Sequence, residues 1–140
     1  MTNLKYPRAV CCIIEKDGLY LAVSRRNDIT QWGFPGGKVE EGESSIHAIQ
    51  RELEEEIDSY FGSRKLEPIF VDKCEGDVEY WVTTYLFTGE FTSKIEYLYT
   101  EEGLTIAWKT QRELCSTFRS PFAKYNYKAF AALDKMCDNN

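Results

Sequence analysis

Long apolar runs are missing from this sequence: no stretch approaches the roughly 20 residues needed to cross a bilayer. The opening stretch MTNLKYPRAVCCIIEKDG also lacks the charged, apolar and small-residue layout of a secretory signal, so a cytoplasmic protein without a membrane partner is expected. Basic stripes are missing too. Lys and Arg number 17 against 23 Asp and Glu, the net charge is −6, and the basic residues are scattered. A nucleic acid held through its phosphates needs a basic face, so no large nucleic-acid partner is expected. A small anionic ligand neutralised by a metal ion stays compatible with this charge. The cysteines Cys11, Cys12, Cys74, Cys115 and Cys137 are odd in number and contain no Cys-x-x-Cys pair. Neither a disulfide framework nor a structural zinc site is therefore supported. Repeats, low-complexity tracts and Pro/Gly/Ser linkers are also absent, so residues 1–140 are read as one domain. Nothing in the pattern separates a monomer from a homodimer.

What is present is an apolar content of 43% and an aromatic content of 14%, enough for a packed core. The stretch RAVCCIIEKDGLYLAVSRR predicts two strands joined at Asp17-Gly18, a dipeptide suited to a tight hairpin turn. QWGFPGGKVEEGE reads as loop, punctuated by Gly33, Pro35, Gly36, Gly37 and Gly42. A helix should begin near Ser44 or Ser45, with Ile46, Ile49, Leu53 and Ile57 as its buried stripe. LEPIFVDKCEGDVEYWVTTYLFTGEF predicts two strands around Gly76-Asp77, and GLTIAWKT a further strand. QRELCSTF predicts a short helix and FAKYNYKAFAALDKM a terminal one. Strands and helices in this proportion make an α/β or α+β sandwich.

The unusual feature is GGKVEEGESSIHAIQRELEEEID, residues 36–58, which crowds carboxylates onto one loop and one helix. At about 100° per residue, Glu52, Glu55 and Glu56 span an arc of about 100° beside the apolar stripe. Like charges this close repel, and Arg51 and Lys38 are too few to neutralise them. A hard divalent cation, which prefers oxygen ligands, would relieve the repulsion. A plain charged helix edge is the competing reading.

The same residues carry a resemblance. Gly37, then Glu43 after five residues, then Arg51-Glu52-Leu53-Glu54-Glu55-Glu56 after seven more, is similar to the Nudix hydrolase box, with seven of its nine specified positions matched. Asp58-Ser59 replaces the closing Gly-apolar pair, which predicts a helix running one turn further, to Phe61, with Gly62 as its cap. The resemblance extends over most of the chain. It implies a Nudix-type α/β/α sandwich, a mixed sheet between helices, with the catalytic loop and helix at about residues 37–59.

It also implies a chemistry. Glu52 and Glu56 would ligate Mg²⁺ (or Mn²⁺), Glu55 would be a third ligand or the general base, and the Gly36 carbonyl a further oxygen. Glu101 and Glu102 are candidates for the base or a distal ligand. Gly37, Glu43 and Arg51 would be structural support, the Arg51–Glu43 pair bracing loop against helix. Arg25 and Arg26 stand where the family contacts phosphate, though an exposed strand end explains them equally well; Lys38 would touch phosphate or only its acidic neighbours. Phe34, Tyr80, Trp81 and Tyr85 would stack a nucleobase or simply pack. Asn126 stands where MutT-like members read a purine edge, against the blander reading of an exposed residue near a helix start. His47 is read as a surface or core-edge residue. The short chain and WGFPGG favour a MutT-like nucleoside triphosphate pyrophosphohydrolase acting on (d)NTPs, oxidised or non-standard ones included. The alternatives are a nucleoside diphosphate sugar or ADP-ribose-type pyrophosphatase and, in another class, a non-catalytic nucleotide-sensing module. RNA decapping fits the acidic balance less well.

Overall fold

The computed structural model describes residues 7–25, 28–57, 62–74, 79–90, 97–99, 104–116 and 121–138. Strand β1 (Arg8–Ile13) leads through the short β2 (Glu15–Lys16) into β3 (Leu19–Arg25). The turn between β2 and β3 is the expected Asp17-Gly18, with φ of 54° and 82°. Positive φ at both central residues is what a two-residue hairpin needs to match strand twist.

The stretch read as loop is more ordered than its glycines and proline suggest. Gln31, Trp32 and Gly33 end β4 (Asp28–Gly33), and Gly36–Lys38 form β5, with only Phe34-Pro35 between them. Here glycine marks close approach rather than a turn: a Cβ on Gly36 would collide with the Val10 carbonyl and the Cys11 Cα. Pro35 contributes its carbonyl to the Cys12 N–H at 2.9 Å.

Helix α1 spans Ser45–Ile57 and buries Ala48, Ile49, Leu53 and Ile57. The expected extension to Phe61 falls at 58–61, outside the described residues; Gly62 has the left-handed φ of 72° that a helix cap uses. β6 (Leu66–Cys74) and β7 (Tyr80–Phe87) are the expected antiparallel pair, and Gly76-Asp77 lies outside the described residues. The short β8 (Tyr97–Tyr99) was not anticipated. β9 (Thr105–Lys109), α2 (Gln111–Cys115) and α3 (Pro121–Asp138) follow as expected. Thr110 and Glu113 close the start of α2 as a reciprocal capping box.

The strands divide between two sheets. One is mixed, in the order β5-β1-β7-β6 with β1 and β7 parallel; the other is antiparallel, in the order β2-β3-β9-β8, with β4 also paired to β3. Strand alternation sorts the core. Val10, Cys12, Leu21, Val23 and Ile106 pack with Ile49 and Leu53 of α1. Cys11, Ile13, Tyr20, Ala22 and Ala107 pack with Ala129 and Phe130 of α3. Helices on opposite faces make the α/β/α arrangement. Side chains such as Leu53 and Phe130, fully withdrawn from water, each contribute about 1.5–3 kcal/mol.

Candidate active site

The acidic helix is positioned from its first residue. The Ser44 hydroxyl accepts from the His47 N–H at 3.3 Å, making Ser44 the N-cap, and lies 2.9 Å from His47 Nδ1. His47 is exposed and engaged with the cap, as its surface reading requires.

Beside the buried stripe, Arg51 is a hub. Its Nε and Nη2 donate to the two Glu43 oxygens at 2.8 and 3.0 Å, a bidentate pair joining loop to helix. Nη2 also donates to the Lys38 carbonyl at 3.0 Å, and Nη1 to Glu52 Oε1 at 3.0 Å. Glu55 Oε2 stands 3.4 Å from Nη1. One guanidinium therefore offsets several carboxylates, more than the sequence reading allowed it. The hydrogen bonds from Arg51 hold the Glu43 carboxyl down at about 2. The same bonds raise the Arg51 pKa. The Lys38 ammonium turns elsewhere, 5.7 Å from the centre of the Tyr80 ring.

The two loop glycines close onto the helix acids. The Gly36 N–H donates to Glu56 Oε1 at 2.7 Å, and a Cβ on Gly37 would strike the Glu52 carboxylate. Among the described residues no three carboxyl, imidazole or thiol groups converge to hold a metal ion. Glu52 is drawn to Arg51, Glu56 to the Gly36 amide, and Glu55 is half-exposed. The oxygen-only donors fit a hard divalent cation by chemistry, but Glu52 and Glu55 must swing off Arg51 to converge on one. Glu101 and Glu102 lie outside the described residues.

A cavity of about 500 Å³ runs from this end of α1 toward α3. Glu56, Gly36, Gly37, Lys38 and Arg25 line it, as do Phe34, Tyr80, Phe122, Tyr125 and Asn126. The Arg25 guanidinium stands 5.6 Å over the Phe122 ring; Arg26 lies outside the described residues. Phe34 is as much core as wall, buried and edge-to-face with Phe130 at 5.4 Å. Trp81 and Tyr85 do not line the cavity: Tyr85 belongs to the α1-side core, and Trp81 carries the Lys73 ammonium at 5.5 Å.

Asn126 corrects the expectation of an exposed residue near a helix start. It is 2% exposed, and its Nδ2 donates to the carbonyls of Trp32 and Leu114 at 3.1 and 2.9 Å. Both partners are acceptors, so the amide orientation is determined and only Oδ1 remains to meet a ligand. Its three- and four-residue spacing from Ala123, Ala129 and Phe130 was the signal for burial.

Sequence reasoning missed a buried polar chain in the cavity wall. Tyr125 Oη donates to the Val82 carbonyl at 2.9 Å and lies 2.6 Å from Thr84 Oγ1, which lies 3.3 Å from Cys11 Sγ. With its one proton on Val82, Tyr125 must accept from Thr84, and Thr84 in turn from the Cys11 thiol. Burial pushes the Cys11 thiol up to about 12, so it acts as a donor and not a nucleophile.

Comparison with known proteins places this geometry. The NUDIX domain model matches residues 5–133. A nucleoside triphosphatase NudI of an Enterobacter species is 29% identical over 116 residues, covering 75% of this chain and 82% of that protein. A CTP pyrophosphohydrolase of Escherichia coli is 44% identical over 57 residues, 39% of this chain and 42% of that one. The structure of a NUDIX hydrolase from Nitrosomonas europaea superposes with a TM-score of 0.67 at 23% identity, covering 91% of this chain and 90% of that one. A match over nearly the whole chain, the loop and acidic helix included, shows that this protein belongs to the NUDIX domain family.

Proposed function

We propose that this Nudix hydrolase cleaves nucleoside triphosphates, canonical, oxidised or non-standard, to the monophosphate and pyrophosphate with Mg²⁺ (or Mn²⁺), in the cytoplasm. Nudix hydrolases act on small nucleotide substrates and generally use divalent metal ions. The observation that carries the finer reading is the cavity itself. Cations (Arg25, Lys38) and the Glu56 edge of the acid cluster line the same aromatic-walled space that reaches Asn126. The likeness to a nucleoside triphosphatase, over 75% of this chain and 82% of that protein, supports it. The thiols of Cys11, Cys12, Cys115 and Cys137, none of them in a disulfide, suit a reducing compartment.

Glu52 and Glu56, with the Gly36 carbonyl and Glu102, would hold the ion, with Glu55 a further ligand where it is not the base; the bound charge would offset that of the phosphates and the leaving oxygen. The chain does the rest. Lys38 and Arg25 leave their aromatic rings to bind phosphate oxygens. Phe34 and Tyr80 flank the base, and Asn126 Oδ1 accepts from its edge. Glu55, the most exposed and most loosely held of the three acids, takes the proton of the attacking water as general base. Arg51 and Glu43 keep loop and helix in register.

The test is a turnover screen with Mg²⁺ across canonical and oxidised (d)NTPs, ADP-ribose, nucleotide sugars and dinucleoside polyphosphates, with products identified. Pyrophosphate and a monophosphate from a triphosphate, lost in Glu55→Gln and Glu56→Gln, is the expected result. Turnover of a sugar or dinucleotide alone would replace the substrate. Mg²⁺-dependent binding with no turnover of anything would replace the enzyme by a sensor.

A further inference from the structure

We propose that Ser24 is a specificity-determining residue: its hydroxyl donates to an acceptor atom of the bound heterocycle while Asn126 Oδ1 accepts from the neighbouring N–H. The proposal rests on reading the cavity as a nucleotide site.

Ser24 lines the cavity and is 4% exposed. Tyr20 and Ala22 belong to the α3-side core, so by strand alternation Ser24 faces the side on which Asn126 lies. Its Oγ accepts from the Thr105 N–H at 2.9 Å. That bond uses a lone pair and leaves the hydroxyl proton, for which no described residue serves as acceptor. A serine this deeply withdrawn from water seldom keeps an unspent donor.

Trp32 ties the two groups together. It stands opposite Ser24 in the β3–β4 ladder, and its carbonyl accepts from Asn126 Nδ2. Residues directly opposite in such a ladder have Cα atoms about 4.5–5.5 Å apart. The wall therefore presents one O–H donor and one C=O acceptor, both built onto the backbone around Trp32, with apolar Phe34, Val82 and Phe122 about them. A heterocycle edge with an N–H beside an acceptor satisfies both. An edge lacking the acceptor leaves the proton of the buried serine unpaired, and such sites reject the incomplete partner strongly.

The experiment compares kcat/KM for nucleoside triphosphates of different bases, and for analogues lacking the acceptor atom, in the wild type, Ser24→Ala and Ser24→Thr. We expect Ser24→Ala to lower kcat/KM for the preferred base by about 10- to 100-fold, and for poorly accepted bases and acceptor-free analogues by less than about threefold. Ser24→Thr, which keeps the hydroxyl, should restore the wild-type ranking. An equal loss on every substrate would mean that Ser24 only satisfies Thr105, and would overturn the proposal. So would a wild-type enzyme indifferent to the acceptor-free analogues, a reading that stands even if Ser24→Ala does not fold. Failure of the wild type to hydrolyse any triphosphate would overturn the triphosphate reading on which the proposal rests.

Discussion

Tyr125 and Asn126 are consecutive on α3 yet hold different sheets: Tyr125 donates to Val82 of β7, and Asn126 to Trp32 of β4. The Asn126 amide reaches Leu114 of α2 as well. Successive helical residues diverge by about 100°, so one turn of helix pins both sheets at the end of the cavity. Asn126→Ala should strand two buried carbonyls and cost about 2–4 kcal/mol, read as a lower urea midpoint. Asn126→Asp should cost more, because a carboxylate would face those same carbonyls.

The loop glycines should separate stability from activity. Gly36→Ala drives a methyl into the backbone of Val10 and Cys11, which cannot yield, and should cost about 4 kcal/mol or more. Gly37→Ala meets only the end of the Glu52 side chain. It should keep most of the unfolding free energy while kcat falls at least about tenfold, because Glu52 is displaced. Denaturation and turnover measured on both variants check the contrast.

Glu56→Gln should likewise leave the fold intact, since its amide oxygen still accepts from the Gly36 N–H. Turnover should fall by about 10²-fold or more with the loss of a ligand charge. Chelation by EDTA should abolish wild-type turnover, and added Mg²⁺ should restore it.

The Arg51–Glu43 pair sets an acid dependence. The Glu43 carboxyl is held at about 2, below its ordinary value of 4.5. A depressed pKa gives stability that is complete above the unfolded value and lost as pH falls through the folded one. The melting temperature should therefore drop between pH about 4.5 and 2, and Glu43→Gln should flatten that drop. The depressed carboxyls of Asp72 and Glu113 act in the same direction and will remain in the variant.

Thiol labelling of the native protein at pH 8 should modify exposed Cys137 quickly and leave Cys11 and Cys12 unmodified. Peptide mass spectrometry before and after unfolding reads this directly. Rapid native labelling of Cys11 would contradict its place in the Thr84–Tyr125 chain.

Elements with strong periodicity were legible. The α1 stripe of Ile49, Leu53 and Ile57 and the Asp17-Gly18 turn both appear where pattern alone puts them. β4 and β5 were hidden because Gly33, Pro35, Gly36 and Gly37 are turn formers by habit, whereas here Gly36 and Gly37 mark places where neighbours leave no room for a Cβ. The Arg51–Glu43 pair followed from the motif, but the reach of one guanidinium to Glu52 and the Lys38 carbonyl depends on tertiary placement. Asn126 and Ser24 were obscured for a common reason: a polar residue reads as surface until its buried partners are known.

Two exposed turns, at Gly18 and Gly42, look alike, each left-handed and with open space around it. Exposed turns ordinarily accept inserted residues at small entropic cost. The segment around Gly42 is tethered on both sides, by Lys38 and by Glu43, to a single guanidinium on α1. An extra residue there would have to break one of those tethers, so its length is dictated by the reach of one arginine. Among the described residues the hairpin at Gly18 carries no such bond to α1, and there this chain can gain or lose residues without disturbing the acids.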